Sequence, residues 1–169
     1  MKLAFLTLIC LLAVSVSSSQ VTLTTTITPD HQSIKDTKVL IVPPAGFHRA
    51  FNSQGYNHKE TGANVGAVQS SQSFNSIKER LSKPYFLKKN YSVIEIIEYT
   101  MNNLSAVWYE LESEFYGRIT TKYIFVIGDE NEYAMIEAYC PKEYPLASAA
   151  LKKSMLSCFY DVDSIHIKR

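Results

Sequence analysis

Four extended segments follow one another between residues 91 and 140: 91–100, 104–114, 118–127 and 132–140. Their connections, Met101-Asn102-Asn103, Phe115-Tyr116-Gly117 and Gly128-Asp129-Glu130-Asn131, are short. Short turns between consecutive strands make them antiparallel neighbours, so the region predicts a meander. Within it, Tyr123-Ile124-Phe125-Val126-Ile127 is apolar at every position. A strand with one wet face alternates; this one does not, which predicts a helical layer on each side of the sheet. Residues 73–82 supply one, with Ser73 as N-cap, Phe74, Ile77 and Leu81 on one stripe, and Pro84 as the stop. Residues 145–156 supply another, with Pro145 at the first helical position. Shorter strands are expected at 39–42, ended by Pro43-Pro44, at 63–69, and at 158–162 as a closing strand; residues 46–51 continue extended after the Pro-Pro turn. The fold class this predicts is α+β, a three-layer α/β/α sandwich around a largely antiparallel sheet.

Charge suggests a register for the central hairpin. A three-residue loop with Gly117 in the left-handed position sets Glu114 opposite Arg118 and Glu110 opposite Lys122. Sliding by one residue loses both opposite-charge pairs, each worth roughly 0.2–1 kcal/mol. The charge-paired register is therefore expected.

The beginning of the chain is different in kind. Lys2 precedes a largely apolar run over residues 3–16, interrupted by Thr7 and Ser15 and followed by Ser17, Ser18 and Ser19. A basic start, an apolar run and a small-residue exit are the parts of a secretory signal, and the run is shorter than the roughly 20 residues needed to span a bilayer. Residues 1–19 are read as a signal peptide that takes Cys10 with it, residues 20–37 as a flexible N-terminal arm, and residues 38–165 as a single domain. A secreted or periplasmic location follows, with no transmembrane anchor after cleavage. The net charge of +1, from 17 basic and 16 acidic residues, lacks the basic excess that nucleic-acid binding requires. Cys140 and Cys158 remain. In an oxidising compartment such a pair is compatible with a disulfide worth about 3 kcal/mol, and equally with two buried free thiols.

Candidate chemistry is sparse. Glu110, Glu112 and Glu114 project from one strand face, where they could serve a divalent cation or acid–base work; Arg118 and Lys122 offset them. His48 and His58, with Glu60 nearby, lack tight zinc-ligand spacing. Asp129, Glu130 and Glu132 read as a polar turn without the ligand pattern of a calcium loop. No nucleophile elbow or phosphate loop is present, and no cofactor is expected. Aromatic residues make up 12% of the chain. Phe47, Phe51, Tyr56, Tyr85, Phe86 and Tyr116 fall in loops or turns, where aromatics can anchor a partner.

Several turn and strand-end motifs point further. Val42-Pro43-Pro44-Ala45-Gly46-Phe47, Glu60-Thr61-Gly62-Ala63, Phe115-Tyr116-Gly117, Ile127-Gly128-Asp129-Glu130, Pro141-Lys142-Glu143 and residues 151–157 occur in an order that resembles a group of small secreted bacterial proteins of unknown function. That group is similar in architecture to the PsbP-like fold, shared by the photosystem II extrinsic subunit and a yeast Ran-binding import factor. The resemblance covers about residues 39–162 and implies a PsbP-like sandwich and a non-enzymatic accessory or binding role. The functional residues of those families have no counterparts that can be placed here, so neither manganese nor Ran binding is implied. The expected function is an exported accessory protein whose partner is an envelope or extracellular protein. The alternative is a hydrolytic or metal-dependent enzyme using Glu110/Glu112/Glu114 or His48/His58.

Overall fold

The structure, a computed structural model, describes residues 21–51 and 55–163. The elements in chain order are β1 (Val21–Leu23), β2 (Gln32–Ser33), β3 (Val39–Ile41), β4 (His48–Arg49), β5 (Gly55–Asn57), β6 (Asn64–Ser70), α1 (Phe74–Arg80), α2 (Lys83–Lys88), β7 (Ser92–Met101), β8 (Leu104–Phe115), β9 (Arg118–Gly128), β10 (Tyr133–Pro141), α3 (Pro145–Leu156) and β11 (Phe159–Tyr160). One eight-stranded sheet runs β1-β7-β8-β9-β10-β6-β5-β4, and a three-stranded sheet runs β11-β3-β2. The large sheet is antiparallel except where β1 joins β7. Three layers result: α1 and α2 on one face, the large sheet, and α3 with the small sheet on the other.

The apolar run organises this arrangement. Tyr123 to Ile127 are each at most 2% exposed. Tyr123, Phe125 and Ile127 join the core beneath α3 and the small sheet, whereas Ile124 and Val126 join the core beneath α1 and α2. Trp108 stacks on Tyr123 at 5.4 Å and tilts against Phe125 at 6.4 Å. Burying one such side chain contributes roughly 1.5–3 kcal/mol, so this strand alone ties two layers to the sheet.

The central hairpin takes the other register. Phe115 pairs with Arg118, Glu114 with Ile119, Glu112 with Thr121, Glu110 with Tyr123 and Trp108 with Phe125. The turn is two residues, Tyr116 at φ 50° and Gly117 at φ 75°, both left-handed, a geometry that matches the twist of the flanking strands. Residues 106–109 and 123–127 are buried on both faces, so burial there does not choose between registers, and the turn decides. The charges find partners beyond the hairpin: Glu110 with Lys152 of α3 at 2.7 Å, Glu112 with Lys142 at 2.7 Å, Arg118 with Glu143 at 3.3 Å, and Lys122 with Glu137 of β10 at 2.7 Å. Asn102 and Asn103, at φ 49° and 67°, make the same two-residue turn between β7 and β8.

Other expectations are corrected. Part of the stretch 20–37 is built into the fold: β1 pairs with the end of β7, β2 pairs with β3, and Ile34 is buried in the core. Pro84 does not merely stop α1, which is capped by Ser73 and ends at Leu81; it sits in the first turn of α2. The segments expected at 39–42 and 158–162 pair with each other, in the small sheet rather than the large one. Cys140 and Cys158 form no disulfide; both are free and buried in the core on the α3 side. Burial pushes the Cys158 thiol up to about 12 and raises that of Cys140, where Glu143 adds to the effect. The proposed signal residues, 1–19, lie outside the described residues. Gly55 is required by packing, since a Cβ there would lie 1.8 Å from the Val65 carbonyl oxygen.

Phe125→Ala is expected to cost about 3–5 kcal/mol in urea unfolding, and Ile96→Ala, at a half-exposed position of β7, about 0.5 kcal/mol. A double-mutant cycle should find about 0.5 kcal/mol of coupling between Glu110 and Lys152 and none between Glu110 and Lys122, which the observed register places on opposite faces. For Cys158, the folded value lies above the unfolded one, so its contribution is present below about pH 9 and is lost as pH rises toward about 12. Unfolding free energy measured against pH should start to fall near pH 9, and Cys158→Ala should make that fall shallower, leaving the part due to Cys140 and the tyrosines.

Candidate functional site

Strand β10 alternates cleanly. Ala134, Ile136, Ala138 and Cys140 are buried toward α3, and Met135, Glu137 and Tyr139 stand half-buried on the opposite face. Across from these three on β6 lie Val68, Gly66 and Asn64. The helices α1 and α2 cover Val107, Tyr109, Leu111, Ile124 and Val126 of β8 and β9 and reach Tyr133 and Met135 at the start of β10, but the rest of β10 with β6 and β5 lies beyond them. Two connected depressions result. One, of about 420 Å³, lies over β5, β6 and β10 and is lined by Asn57, Asn64, Val68, Met135, Glu137 and Tyr139, among others. The second, of about 280 Å³, slips beneath the helices between Ile77, Leu81, Phe86 and the sheet, with Arg80, Tyr85 and Lys89 at its helical side. Met135 and Glu137 are shared by both.

Where they meet, Lys122 of β9 reaches Glu137 at 2.7 Å. Its ammonium lies 4.8 Å from the Tyr139 ring centre and 5.7 Å from that of Tyr91, distances at which cation–π attraction operates. Burial alone would lower the Lys122 pKa, but hydrogen bonding to Glu137 and Tyr139 outweighs it and holds the ammonium above its ordinary value. Tyr91 is raised by burial, partly offset by Lys122. The floor therefore holds the Lys122 ammonium against the side chain of Glu137, between the rings of Tyr91 and Tyr139. This is a neutralised platform: a base needs a lowered lysine pKa, and here the shift runs the other way.

The six aromatics expected at a partner surface divide. Phe47, Tyr56 and Phe86 are buried core residues, which corrects that reading, while Phe51, Tyr85 and Tyr116 are exposed. Only Tyr85 and Phe86 border the cleft. Phe47 packs edge-on to His58 at 5.1 Å, and Tyr56 donates its hydroxyl proton to Gln32 at 3.0 Å. Glu110 and Glu112 are paired with lysines, and Glu114 is exposed at the hairpin end. His48 is exposed on β4, and the buried Nδ1 of His58 has no hydrogen-bond partner in the structure. Among the described residues, no group of three or more His, Cys, Asp or Glu side chains is placed to hold a metal ion. Asp129 accepts from the amides of Asn131 and Glu132, closing the polar turn, and Glu132 pairs with Lys38.

Sequence reasoning missed Glu137, Tyr139 and Tyr91 and assigned Lys122 to the wrong partner. The available signal was the strict two-residue period of 134–140 beside the uniformly apolar 123–127. It marks residues 135–139 of β10 as fully covered on one face and half-buried on the other.

No known protein family matches the chain, and no curated protein matches its sequence. Solved structures do. The crystal structure of LpqN, involved in cell envelope biogenesis of Mycobacterium tuberculosis, is similar with a TM-score of 0.53 and 12% identity, over 71% of this chain and 81% of that one. The solution structure of cyanobacterial PsbP (CyanoP) from Synechocystis is similar with a TM-score of 0.52 and 8% identity, over 77% of this chain and 91% of that one. The chain has the PsbP-like fold. At these identities the likeness is one of fold alone. Among the described residues no helix is long and apolar enough to cross a membrane.

Removing one member of the Lys122–Glu137 pair leaves a partly buried charge alone. Glu137→Ala is expected to cost about 1–2 kcal/mol, discounted for the solvent that reaches Glu137, and the double change Lys122→Met with Glu137→Leu less than that. Urea unfolding of the two variants decides it; a double variant weaker than the single one would contradict the pairing.

Proposed function

We propose that this chain is an exported, non-enzymatic accessory protein that holds a protein or envelope component in the cleft between α1–α2 and the open half of the sheet. The observation that carries this reading is the cleft itself. Two joined depressions occupy one sheet face and mix apolar walls with a charge pair that is already neutralised. Such a surface offers shape, aromatic faces and hydrogen bonds without a group poised for proton transfer. Signal-like residues at the start of the chain support export to the periplasm or beyond, and the envelope role stated for LpqN is consistent with that location.

The test is site-specific crosslinking in the producing organism. A photoreactive side chain at Val68, which is exposed beside the cleft, is expected to give one reproducible adduct, and the same group at Ile94 on the opposite half of the sheet none. Adducts of equal yield from both positions, or from neither, would contradict the cleft as the binding surface. Fractionation of the same cells should recover a chain shortened at its N-terminus outside the cytoplasm.

A further inference from the structure

The layer made by α1 and α2 is electrically unlike the rest of the molecule. Residues 74–90 carry Lys78, Arg80, Lys83, Lys88 and Lys89 against the single carboxylate Glu79, a formal charge of +4 in a chain whose total is +1. Among the described residues only Lys78 of these cations is ion-paired, to Glu98 at 2.8 Å. Phe86 is the one buried residue of α2 and points to the sheet. Helical geometry then puts Pro84 and Lys88 at the crown, Lys83 and Leu87 on one flank, and Tyr85 with the following Lys89 on the other. All six are exposed, Leu87 by 56% and Tyr85 by 38%. The whole outward arc of α2 thus offers lysines around one aromatic and one aliphatic side chain, and no acid.

We propose that this arc docks the protein on an anionic lipid surface. Charge complementarity is the first argument: juxtaposed lysines gain attraction from a negatively charged leaflet, and the gain grows with each one near the surface. Residue type is the second. Protein interfaces favour arginine and are depleted in lysine, whereas lysine places a compact charge at headgroup level while its alkyl stem follows the apolar side chains inward. Tyr85 supplies a ring with an apolar body and a polar tip, the form suited to a lipid–water boundary, and Leu87 supplies shallow insertion. In this orientation the helices lie against the lipid with Arg80 and Lys89, at the cleft's helical side, close to the headgroups. This inference does not require an occupant in the cleft, although Arg80, Tyr85 and Lys89 border both surfaces.

Full-length protein and its Lys83→Glu/Lys88→Glu/Lys89→Glu variant are sedimented with vesicles of phosphatidylcholine, alone or mixed equally with phosphatidylglycerol. The apolar residues 3–16 are common to both proteins, so the difference is what is read. Binding to the mixed vesicles should exceed binding to phosphatidylcholine by at least about tenfold and decline as salt is added. The triple variant should lose that preference while keeping its far-ultraviolet circular dichroism and melting temperature, since the three side chains are exposed. Tyr85→Ser/Leu87→Ser should weaken binding to the mixed vesicles but keep the salt dependence. Should the triple variant not fold, lipid preference and salt dependence of the unaltered protein still decide. Equal binding to both vesicle types, or an unchanged preference in a folded triple variant, would overturn the proposal. So would retention on immobilised polyglutamate that anionic vesicles do not displace, because the arc would then belong to an acidic polypeptide.

Discussion

Everything in this molecule is arranged around a strand that tolerates water on neither side. Tyr123 to Ile127 place two aromatic rings and three aliphatic side chains alternately up and down from the sheet, and each is enclosed. No single helix can satisfy that demand. The chain meets it with α1 and α2 above and α3 with the small sheet below, and the strands flanking β9 inherit their burial from the same two covers. The cost of leaving either side bare, roughly 1.5–3 kcal/mol per large side chain, is comparable to a substantial part of a domain's net stability. That is why the layers come as a set.

The cover is unequal, and the inequality produces the cleft. On the α3 side the core extends from β7 to β6 and includes Ala67, Ala134 and Ala138, small residues that let the second layer sit close. On the other side the two short helices cover β8 and β9, and the floor beyond them turns polar with Glu137, Tyr139, Asn64 and Asn57. Lys122 marks the boundary: it belongs to the covered strand but leans on Glu137 of the open one. A site made in this way is rigid at its base, because β10 is held by both β9 and β6, and adaptable at its rim, where exposed side chains of α2 stand. The PsbP-like fold supplies the frame; the residues on the open half are this chain's own.

The layered architecture was legible in the sequence because it follows from burial, which patterning reports directly. Residues 145–156 begin with Pro145 and form a helix over that span, and Ser73 caps α1 as its position suggested. Register was not legible. Glu110, Glu112 and Glu114 next to Arg118 and Lys122 offered a pairing by charge, yet exposed pairs are worth little, and a two-residue left-handed turn at Tyr116-Gly117 outweighs them. Nor could local sequence show that partners for those charges lie on α3 and β10, distant in the chain. The disulfide failed for a related reason: two cysteines can share a core without their side chains being aimed at each other. Half of those aromatics proved to be core because they are not all in loops: Tyr56 belongs to β5 and Phe86 is the buried residue of α2, while Phe47 packs edge-on to His58. The cleft was hidden because it depends on where a helical layer ends, a property of tertiary packing rather than of any residue.

The claim that a fully enclosed strand dictates the layers is tested most directly by placing a carboxylate on each of its sides in turn. Val126→Asp faces the α1–α2 layer, and Ile127→Asp faces α3 and the small sheet. Circular dichroism and urea unfolding of the two variants should show that neither folds cooperatively, because each buries an unpaired charge. If one of them folds with stability within about 1 kcal/mol of the unaltered protein, that side of the strand is open to water and the layered account is wrong.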